Sequence, residues 1–182
     1  AIRDEKADTK RYFMYKGYHV TFVRNWTDID DKTIERAAQE GTTVSELTSR
    51  FIDIYREDYA RLNILEPDFA PKPTEHIAEI VHFIERLFEN THAYVLEDGV
   101  YFDIASYTDY GKLSGQSLDE LRSGARINVD ASKRNPGDFV LWKFKKPGEP
   151  SWDSPWGRGR PGWHIECSAM STKYLGSTFD IH

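Results

Sequence analysis

A segment near the carboxyl end of the sequence holds the residue types best suited to chemistry. It runs Gly157-Arg158-Gly159-Arg160-Pro161-Gly162-Trp163-His164-Ile165-Glu166-Cys167. The sequence becomes helix-compatible near His164, so we predict that a helix starts there. A thiolate at a helix start is favoured by the helix dipole, which suits a nucleophile or a metal ligand. His164 and Cys167 would share one face of that helix. Two residues are too few for a metal site, however, and a lone cysteine is more often buried packing.

A second polar cluster follows an apolar run early in the chain. Residues 18–23 are β-branched and aromatic, which predicts a buried strand, and Thr27, Asp28 and Asp30 come after it. Ligands of open α/β sheets bind beyond the carboxyl ends of the strands, so these side chains suit a polar ligand or a metal. Asp28 or Asp30 could instead cap a helix that ends at Gly41. Taken alone, the cluster favours capping.

Basic and aromatic residues are interleaved in a third segment, from Lys133 to Trp156. Such a mixture can grip a phosphate backbone and stack bases. An alternating strand with a solvated lysine face explains residues 142–146 equally well. Both interpretations remain open at this point.

Helical patterns surround the second cluster. We predict that a helix over residues 10–16 is closed by Gly17, and that Thr43 and Glu46 form a capping box. Apolar residues then recur at helical intervals in two stripes, and we expect both stripes to pack in a core. The first stripe is Val44, Leu47, Phe51, Ile54, Tyr55 and Leu62, and the second is Ile77, Ile80, Val81, Ile84, Leu87 and Phe88.

Strand patterns dominate from about residue 93 to residue 160. Residues 94–96 and 100–102 flank a turn at Glu97-Asp98-Gly99, which predicts a hairpin, and residues 139–142 predict a further strand. Residues 179–182 are typical of a strand that stops abruptly, so we expect the chain to be a fragment of a longer protein. Together the elements predict an α/β fold with a parallel sheet and a β-rich insertion.

Composition narrows the class of protein. The 182 residues carry a net charge of −6, which argues against coating nucleic acid by bulk electrostatics. No apolar run approaches the ~20 residues of a membrane span, and no signal-peptide pattern opens the chain. Cys167 is the single cysteine, so the chain cannot form an internal disulfide. We therefore expect a cytoplasmic protein with no membrane contact.

Taken together and in this order, the segments resemble one family, the cysteinyl-tRNA synthetases. The motifs that carry the resemblance are Val23-Arg24-Asn25-Trp26-Thr27-Asp28-Ile29-Asp30-Asp31-Lys32, Leu62-Asn63-Ile64, Thr74-Glu75-His76-Ile77, Tyr110-Gly111-Lys112-Leu113-Ser114, Gly124-Ala125-Arg126, Lys133-Arg134-Asn135-Pro136, Gly148-Glu149-Pro150-Ser151-Trp152, Ser154-Pro155-Trp156-Gly157 and the segment that ends at Cys167. They extend from about Gly17 to His182. Trp26 stands where the family commonly has a smaller aliphatic residue.

The resemblance implies the fold of a class I synthetase catalytic domain. That domain would be a partial Rossmann-type α/β fold with a β-rich connective insertion. Residues 1–92 would form its first part with the following helices, residues 93–160 the insertion, and residues 161–182 the return to the catalytic core. The family's two ATP signatures and its anticodon-binding region have no counterpart in this sequence. The resemblance assigns no catalytic residue to this chain, and activity is expected of the parent protein only.

The resemblance also implies an activity and its partners. The family activates L-cysteine with ATP and Mg²⁺ to cysteinyl adenylate, transfers the cysteine to tRNA(Cys), and is usually monomeric. Thr27 and Trp163 would lie around the bound cysteine, and His182 near the floor of the active site. The family binds zinc through two cysteines, a histidine and a glutamate, of which only Cys167 corresponds to a residue here. Zinc would select the thiolate of the substrate over the hydroxyl of serine.

Two other functions fit parts of the pattern. A homologous ligase of mycothiol synthesis makes the same adenylate, transfers cysteine to an amino sugar and shares the segment that ends at Cys167. The Ser168-Ala169-Met170 continuation and the Gly124-Ala125-Arg126 block resemble the synthetases more closely. A non-catalytic RNA-binding fragment would account for the missing ATP signatures, but it would not need Trp163 and Cys167.

Overall fold

Four helices precede the sheet. The computed structural model describes residues 5–115 and 132–182. The helices are α1 (Glu5–Tyr15), α2 (Asp31–Glu40), α3 (Val44–Arg61) and α4 (Ile77–Glu89), and a 3₁₀ turn at Pro73–Glu75 comes before α4. Gly17 follows α1 with φ of 87°, a left-handed conformation that suits glycine, so the predicted end of this helix is confirmed.

Two capping boxes confirm the predicted starts of α2 and α3. The Asp30 carboxylate accepts from the N–H of Thr33 at 2.6 Å, and the Thr33 hydroxyl accepts from the N–H of Asp30 at 2.9 Å. Thr43 and Glu46 make the equivalent bonds at 3.2 and 3.1 Å. Each box satisfies backbone donors that have no partner inside the helix. Gly41 ends α2 with φ of 65°, also as predicted.

The predicted core stripe of α3 is partly wrong. Phe51, Ile54 and Leu62 are 50%, 48% and 57% exposed. The hydroxyl of Thr48 donates to the carbonyl of Val44 at 2.9 Å, so this polar residue is satisfied within the helix and can face the core. The buried side of α3 is therefore rotated from the predicted stripe. Its buried members are Leu47, Thr48 and Ile52.

The second predicted stripe is confirmed. Ile80 and Ile84 of α4 are fully buried, at 0% exposed. The other members of the stripe are part-buried, as expected for residues at the edge of an apolar face.

The strands form one antiparallel sheet in the order β1-β2-β3-β4. The hairpin prediction is confirmed: Leu96 pairs with Gly99 across a turn of two residues, Glu97 and Asp98. Trp142 of the third strand is fully buried and pairs with Val100. The bounds are β1 (Ala93–Leu96), β2 (Gly99–Phe102), β3 (Phe139–Phe144) and β4 (Gly159–Pro161), with a 3₁₀ turn at Ile104–Ser106 and a last helix, α5 (Ile165–Leu175).

The strand predicted over residues 18–23 is wrong. Among these residues only Val23 pairs, as an isolated parallel bridge to Phe69. The backbone continues alongside residues 68–71, where the N–H of Arg24 donates to the Phe69 carbonyl at 3.0 Å. Pro71 lies next in that segment and has no N–H, so the ladder cannot propagate. Within the described residues the α/β class therefore stands, but the predicted parallel sheet does not form.

The strand predicted over residues 179–182 is also wrong. These residues have no regular secondary structure and bend at Asp180, and Ile181 is 62% exposed. A strand needs a neighbour to take its backbone hydrogen bonds, and the described strands pair only with one another.

The chain divides into two compact units. The first unit comprises Ala1–His76 and Cys167–His182, and the second comprises Ile77–Glu166, which includes the whole sheet. Over the ranges described, no helix has both the length and the apolar character needed to cross a membrane. The Gly124-Ala125-Arg126 motif lies outside the described residues.

Candidate functional site

Thr27 lies between two residues whose positions are fixed by hydrogen bonds. Before it, the N–H of Trp26 donates to the Pro71 carbonyl at 2.9 Å. After it, Asp28 is buried at 6% exposed and accepts from the N–H of Thr74 at 3.2 Å and from the Thr74 hydroxyl. Thr27 itself is exposed. The fold therefore holds the backbone of Thr27 and leaves its side chain accessible to a ligand.

The aspartates around Thr27 have structural partners. Burial raises the pKa of Asp28 above its ordinary value, and the hydrogen bonds from Thr74 act in the opposite direction. Asp30 caps α2. These contacts favour the capping interpretation of the cluster, because Asp28 and Asp30 are already used by Thr74 and Thr33.

A cavity of about 540 Å³ opens beside Thr27, and we name it the α2–α3 cavity. The guanidinium of Arg24 lies at its wall, 4.6, 4.9 and 5.2 Å from the ring centres of Tyr59, Tyr55 and Trp26. Such distances are those of cation–π contacts. The lining residues are Arg24, Asn25, Trp26, Thr27, Asp30, Lys32, Thr33, Arg36, Leu47, Thr48, Phe51, Ile52 and Tyr55.

Cys167 lies in the first turn of α5 and is partly exposed, which confirms a helix start near it. The helix is attached to the first unit through His76, which is 4% exposed. Nδ1 of His76 donates to the Lys72 carbonyl at 2.7 Å, so Nε2 accepts from the Tyr174 hydroxyl at 2.9 Å. The Tyr174 ring also packs 4.8 Å from the ring of Phe69. The residues just before Thr27 pair with residues 68–71, and Phe69 of that segment also contacts Tyr174 of α5.

His164 lies outside α5, so the prediction that it shares a helical face with Cys167 is wrong. The helix begins at Ile165, and His164 precedes it with φ of 77°. This left-handed conformation costs a non-glycine residue roughly 1–2 kcal/mol. Trp163, the neighbouring site candidate, is 61% exposed, and its ring centre is 5.8 Å from that of His164.

The glycines before Trp163 allow β4 to lie against β3. A Cβ atom at Gly159 would overlap the carbonyl oxygen of Lys143, and one at Gly162 would overlap that of Val140. The backbone of β4 therefore lies close to that of β3. Arg160 lies between the two glycines at 2% exposed.

The third segment packs within the second unit. The N–H of Asn135 donates to the Asp138 carboxylate at 3.0 Å, and Lys133 Nζ donates to the Asp138 carbonyl at 3.3 Å. Trp142 is fully buried, and Trp156 stacks on Phe88 with ring centres 5.2 Å apart. These contacts favour the structural interpretation over a grip on nucleic acid, because the aromatic faces are already covered.

The four candidate site residues are distributed over both units. Thr27, Cys167 and His182 belong to the first unit and Trp163 to the second. His182 is exposed, with its ring centre 6.1 Å from that of Phe179. Among the residues that the structure describes, no three side chains of His, Cys, Asp or Glu are grouped so that they could hold a metal ion.

The α2–α3 cavity is the feature that the sequence did not predict. Phe51 and Tyr55 were assigned to the core because they fall at helical spacing. Their position four residues apart is the one available signal, and it becomes informative only once Leu47 and Ile52 are known to define the buried side of α3.

The described residues combine helices with a four-stranded antiparallel sheet, which is a mixed α/β architecture. The chain belongs to the class I tRNA synthetases: residues 7–182 match the family described as tRNA synthetases class I (C) catalytic domain.

Individual relatives are similar to this chain over most of its length. A Cysteine–tRNA ligase of Shewanella baltica is 58% identical over 173 residues, which cover 94% of this chain and 38% of the relative. A Cysteine–tRNA ligase of Shewanella loihica is 56% identical over the same shares. One of Desulforamulus reducens is 56% identical over 95% of this chain and 36% of the relative. The chain therefore spans little more than a third of the length of the curated relatives it matches.

Proposed function

We propose that this chain is the part of a cysteine–tRNA ligase that binds the amino acid. The parent enzyme activates L-cysteine with ATP and Mg²⁺, releasing pyrophosphate and forming cysteinyl adenylate. It then transfers the cysteine to a ribose hydroxyl of tRNA(Cys), releasing AMP. The observation that carries this proposal is the identity of 56–58% over at least 94% of the chain with proteins of that name.

Thr27 is proposed to bind the cysteine substrate. Its side chain is exposed, and the hydrogen bonds of Trp26 and Asp28 on either side hold its backbone. A side chain on a fixed backbone loses little conformational entropy on binding, so its contact with the substrate contributes more to the affinity. Trp163, at 61% exposed, has a ring face available for the apolar part of the substrate. His182 is also exposed and is proposed to lie near the floor of the site.

Cys167 is proposed as one zinc ligand. Its place in the first turn of α5 favours the thiolate, the form that binds metal. The described residues do not form a zinc site by themselves, because no three of their His, Cys, Asp or Glu side chains are grouped to hold a metal ion. The other three ligands are expected from parts of the parent protein outside this chain, and we derive no reaction step through the metal.

The division predicted for the domain is part of the same proposal. Residues 1–92 and 161–182 would belong to a Rossmann-type core, and residues 93–160 to its connective insertion. The four-stranded sheet supports a β-rich insertion, since all of β1, β2 and β3 lie within residues 93–160. A cytoplasmic, monomeric parent enzyme completes the proposal.

The test is cysteine-dependent exchange of pyrophosphate into ATP by the full-length gene product, with serine as the control substrate. Exchange with cysteine alone supports the proposal, and aminoacylation of tRNA(Cys) then separates it from transfer to an amino sugar. A folded, zinc-loaded protein that shows no exchange would leave a non-catalytic RNA-binding relative and overturn the proposal.

Thr27→Val makes the role of that residue testable in the same assay. We expect the KM for cysteine to rise by about two- to tenfold, because one lost hydrogen bond contributes roughly 0.5–1.5 kcal/mol. Thr108→Val, at an exposed position far in sequence from all four candidate residues, is the matched control and should leave the KM unchanged. Equal KM values for the two variants would remove Thr27 from the site.

A further inference from the structure

We propose that the α2–α3 cavity binds a nucleotide, with the base against its aromatic wall and the phosphate at its basic rim. The cavity adjoins the predicted cysteine site at Thr27, which is also a lining residue, but Cys167, Trp163 and His182 are not among the lining residues. Its volume of about 540 Å³ falls in the range of small-molecule sites.

Aromatic side chains form one wall of the cavity. Phe51 and Tyr55 lie four residues apart on α3, so they project on the same face of the helix. Phe51 is half exposed, at 50%, although it is large and apolar. The ring of Trp26 meets that of Tyr55 edge to face at 5.0 Å. Arg24 covers the rings of Trp26 and Tyr55, and Tyr59 also stacks on Tyr55, so Phe51 offers the exposed ring on which a base can stack whatever its identity.

Basic side chains predominate among the charged lining residues. Arg24, Lys32 and Arg36 line the cavity, against Asp30 as the one acidic member of the lining set. The Asp30 carboxylate is engaged in capping α2. Arg36 also contacts Glu40, so Lys32 is the cation best placed to take a phosphate. Lys32 is exposed in the first turn of α2, and the positive end of the helix dipole adds to its attraction for an anion.

Trp26 adds a hydrogen-bond donor to the cavity wall. Its side chain is 8% exposed, and its Nε1 is buried with no hydrogen-bond partner among the described residues. Buried donors are nearly always paired in folded proteins, so an unpaired one calls for a partner.

Nucleotide chemistry is shared by a free mononucleotide and by one nucleotide of a single-stranded RNA. The two sources are separated by photo-crosslinking of the full-length gene product. One sample receives 8-azidoadenosine 5′-monophosphate, and another a short single-stranded RNA that contains 4-thiouridine. The crosslinked residues are then located by mass spectrometry. This readout is residue-specific, so adducts in the adenylation site do not interfere with it.

We expect adducts on Trp26, Phe51 or Tyr55. An adduct with the mononucleotide assigns the site to free nucleotides, and an adduct with the RNA alone assigns it to a single strand. Lys32→Ala and Phe51→Ala should each lower the adduct yield at least fivefold. The matched controls are Lys16→Ala, an exposed lysine of the same unit, and Ile54→Ala, a half-exposed residue of α3 outside the lining. Both controls should retain the full yield.

The proposal is overturned if neither probe labels the three aromatic residues. It is equally overturned if the Lys32 and Phe51 variants retain the yield of their controls. Both positions are exposed, so the variants should fold, and circular dichroism checks this directly. Pyrophosphate exchange is measured on the same wild-type protein, so a failed crosslink beside normal exchange separates this proposal from the proposed function.

Discussion

The two units of the chain differ in how their polar and apolar side chains are buried or exposed. In the second unit, Asp138 is 2% exposed and accepts from the Tyr94 hydroxyl at 2.6 Å, from the N–H of Asn135 at 3.0 Å and from the N–H of Ile104 at 3.1 Å. Among the described residues, exposed large apolar side chains are more numerous in the first unit. There they are Tyr12, Met14, Tyr15, Tyr18, Phe51, Ile54, Leu62, Phe69 and Ile181, against Val95, Tyr107, Leu113 and Trp163 in the second unit.

The second unit is built as a scaffold, whereas the first unit leaves side chains available for binding. A sheet with buried, fully bonded polar groups has one well-defined arrangement, because any slip would leave a carboxylate unpaired. The first unit depends more on capping boxes and on pairing between extended segments, and these leave side chains available to ligands. Three of the four candidate site residues, and all residues of the α2–α3 cavity, belong to that unit.

The largest expected effect comes from Arg160→Ala in the second unit. Arg160 Nε lies 3.0 Å from the Glu149 carboxylate, and their side chains are 3% and 16% exposed. Removing one partner leaves a buried charge unpaired, so we expect a loss of about 3–5 kcal/mol in the free energy of unfolding. Urea denaturation followed by tryptophan fluorescence measures this loss.

The control is Arg158→Ala, whose ion pair with Asp153 is exposed, and it should change stability by less than about 0.5 kcal/mol. Similar losses for the two variants would contradict the buried role of Arg160.

A smaller effect is expected for Tyr94→Phe. The substitution removes one of the donors to Asp138, and we expect a loss of about 2 kcal/mol, typical of a bond to a charged group. Burial, together with the bond to Asp138, raises the pKa of Tyr94 to about 12. Because the unfolded chain ionises this group near pH 10, the contribution is complete below that value and is lost as the pH rises towards 12. The stability difference between wild type and variant should therefore shrink over that range in denaturation curves.

The control for Tyr94 is Tyr107→Phe, whose side chain is 47% exposed. It should leave both stability and its pH dependence unchanged. A difference between wild type and Tyr94→Phe that stays constant from pH 9 to 12 would argue against the raised pKa.

The smallest of these effects is expected in the first unit, for Thr74→Val. This change keeps the shape of the side chain and removes the hydroxyl that donates to Asp28, while the backbone N–H of Thr74 still does so. We expect a loss of about 1–1.5 kcal/mol by equilibrium denaturation. Thr108→Val, at an exposed position, is the control and should be neutral. A loss as large as that of Arg160→Ala would mean that the two units depend equally on buried polar bonds.

Local signals in the sequence were sufficient for much of the fold. The caps at Asp30 and Thr43, the helix ends at Gly17 and Gly41, and the hairpin around Glu97 were all predicted and are confirmed. Each depends on residues close together in the chain, so the pattern contains the whole interaction. The α4 stripe was also predicted correctly, because every position on its buried face carries an apolar residue.

One failure involves partners far away in the chain, and two involve local features that the sequence pattern does not signal. Residues 18–23 have strand composition, but whether a strand forms depends on the donors of residues 68–71, and Pro71 removes one. The orientation of α3 depends on Thr48, a polar residue whose hydroxyl is satisfied inside its own helix. The backbone of His164 could not be predicted either, since a left-handed φ at a non-glycine residue has no sequence signal. The candidate site residues came from the resemblance, because composition and spacing alone left each segment undecided.

The bond between His76 and Tyr174 has a consequence for the rotation of α5 about its own axis. Residues seven apart on a helix point in directions that differ by only about 20°, and they are separated by about 10 Å along the axis. Tyr174 and Cys167 are seven apart, so fixing the hydroxyl of the tyrosine also fixes the direction in which the thiol points. His76 accepts this bond through one ring nitrogen only, since the other donates to Lys72. The contact between His76 and Tyr174 therefore bears on the direction of the Cys167 thiol as well as on the position of the helix.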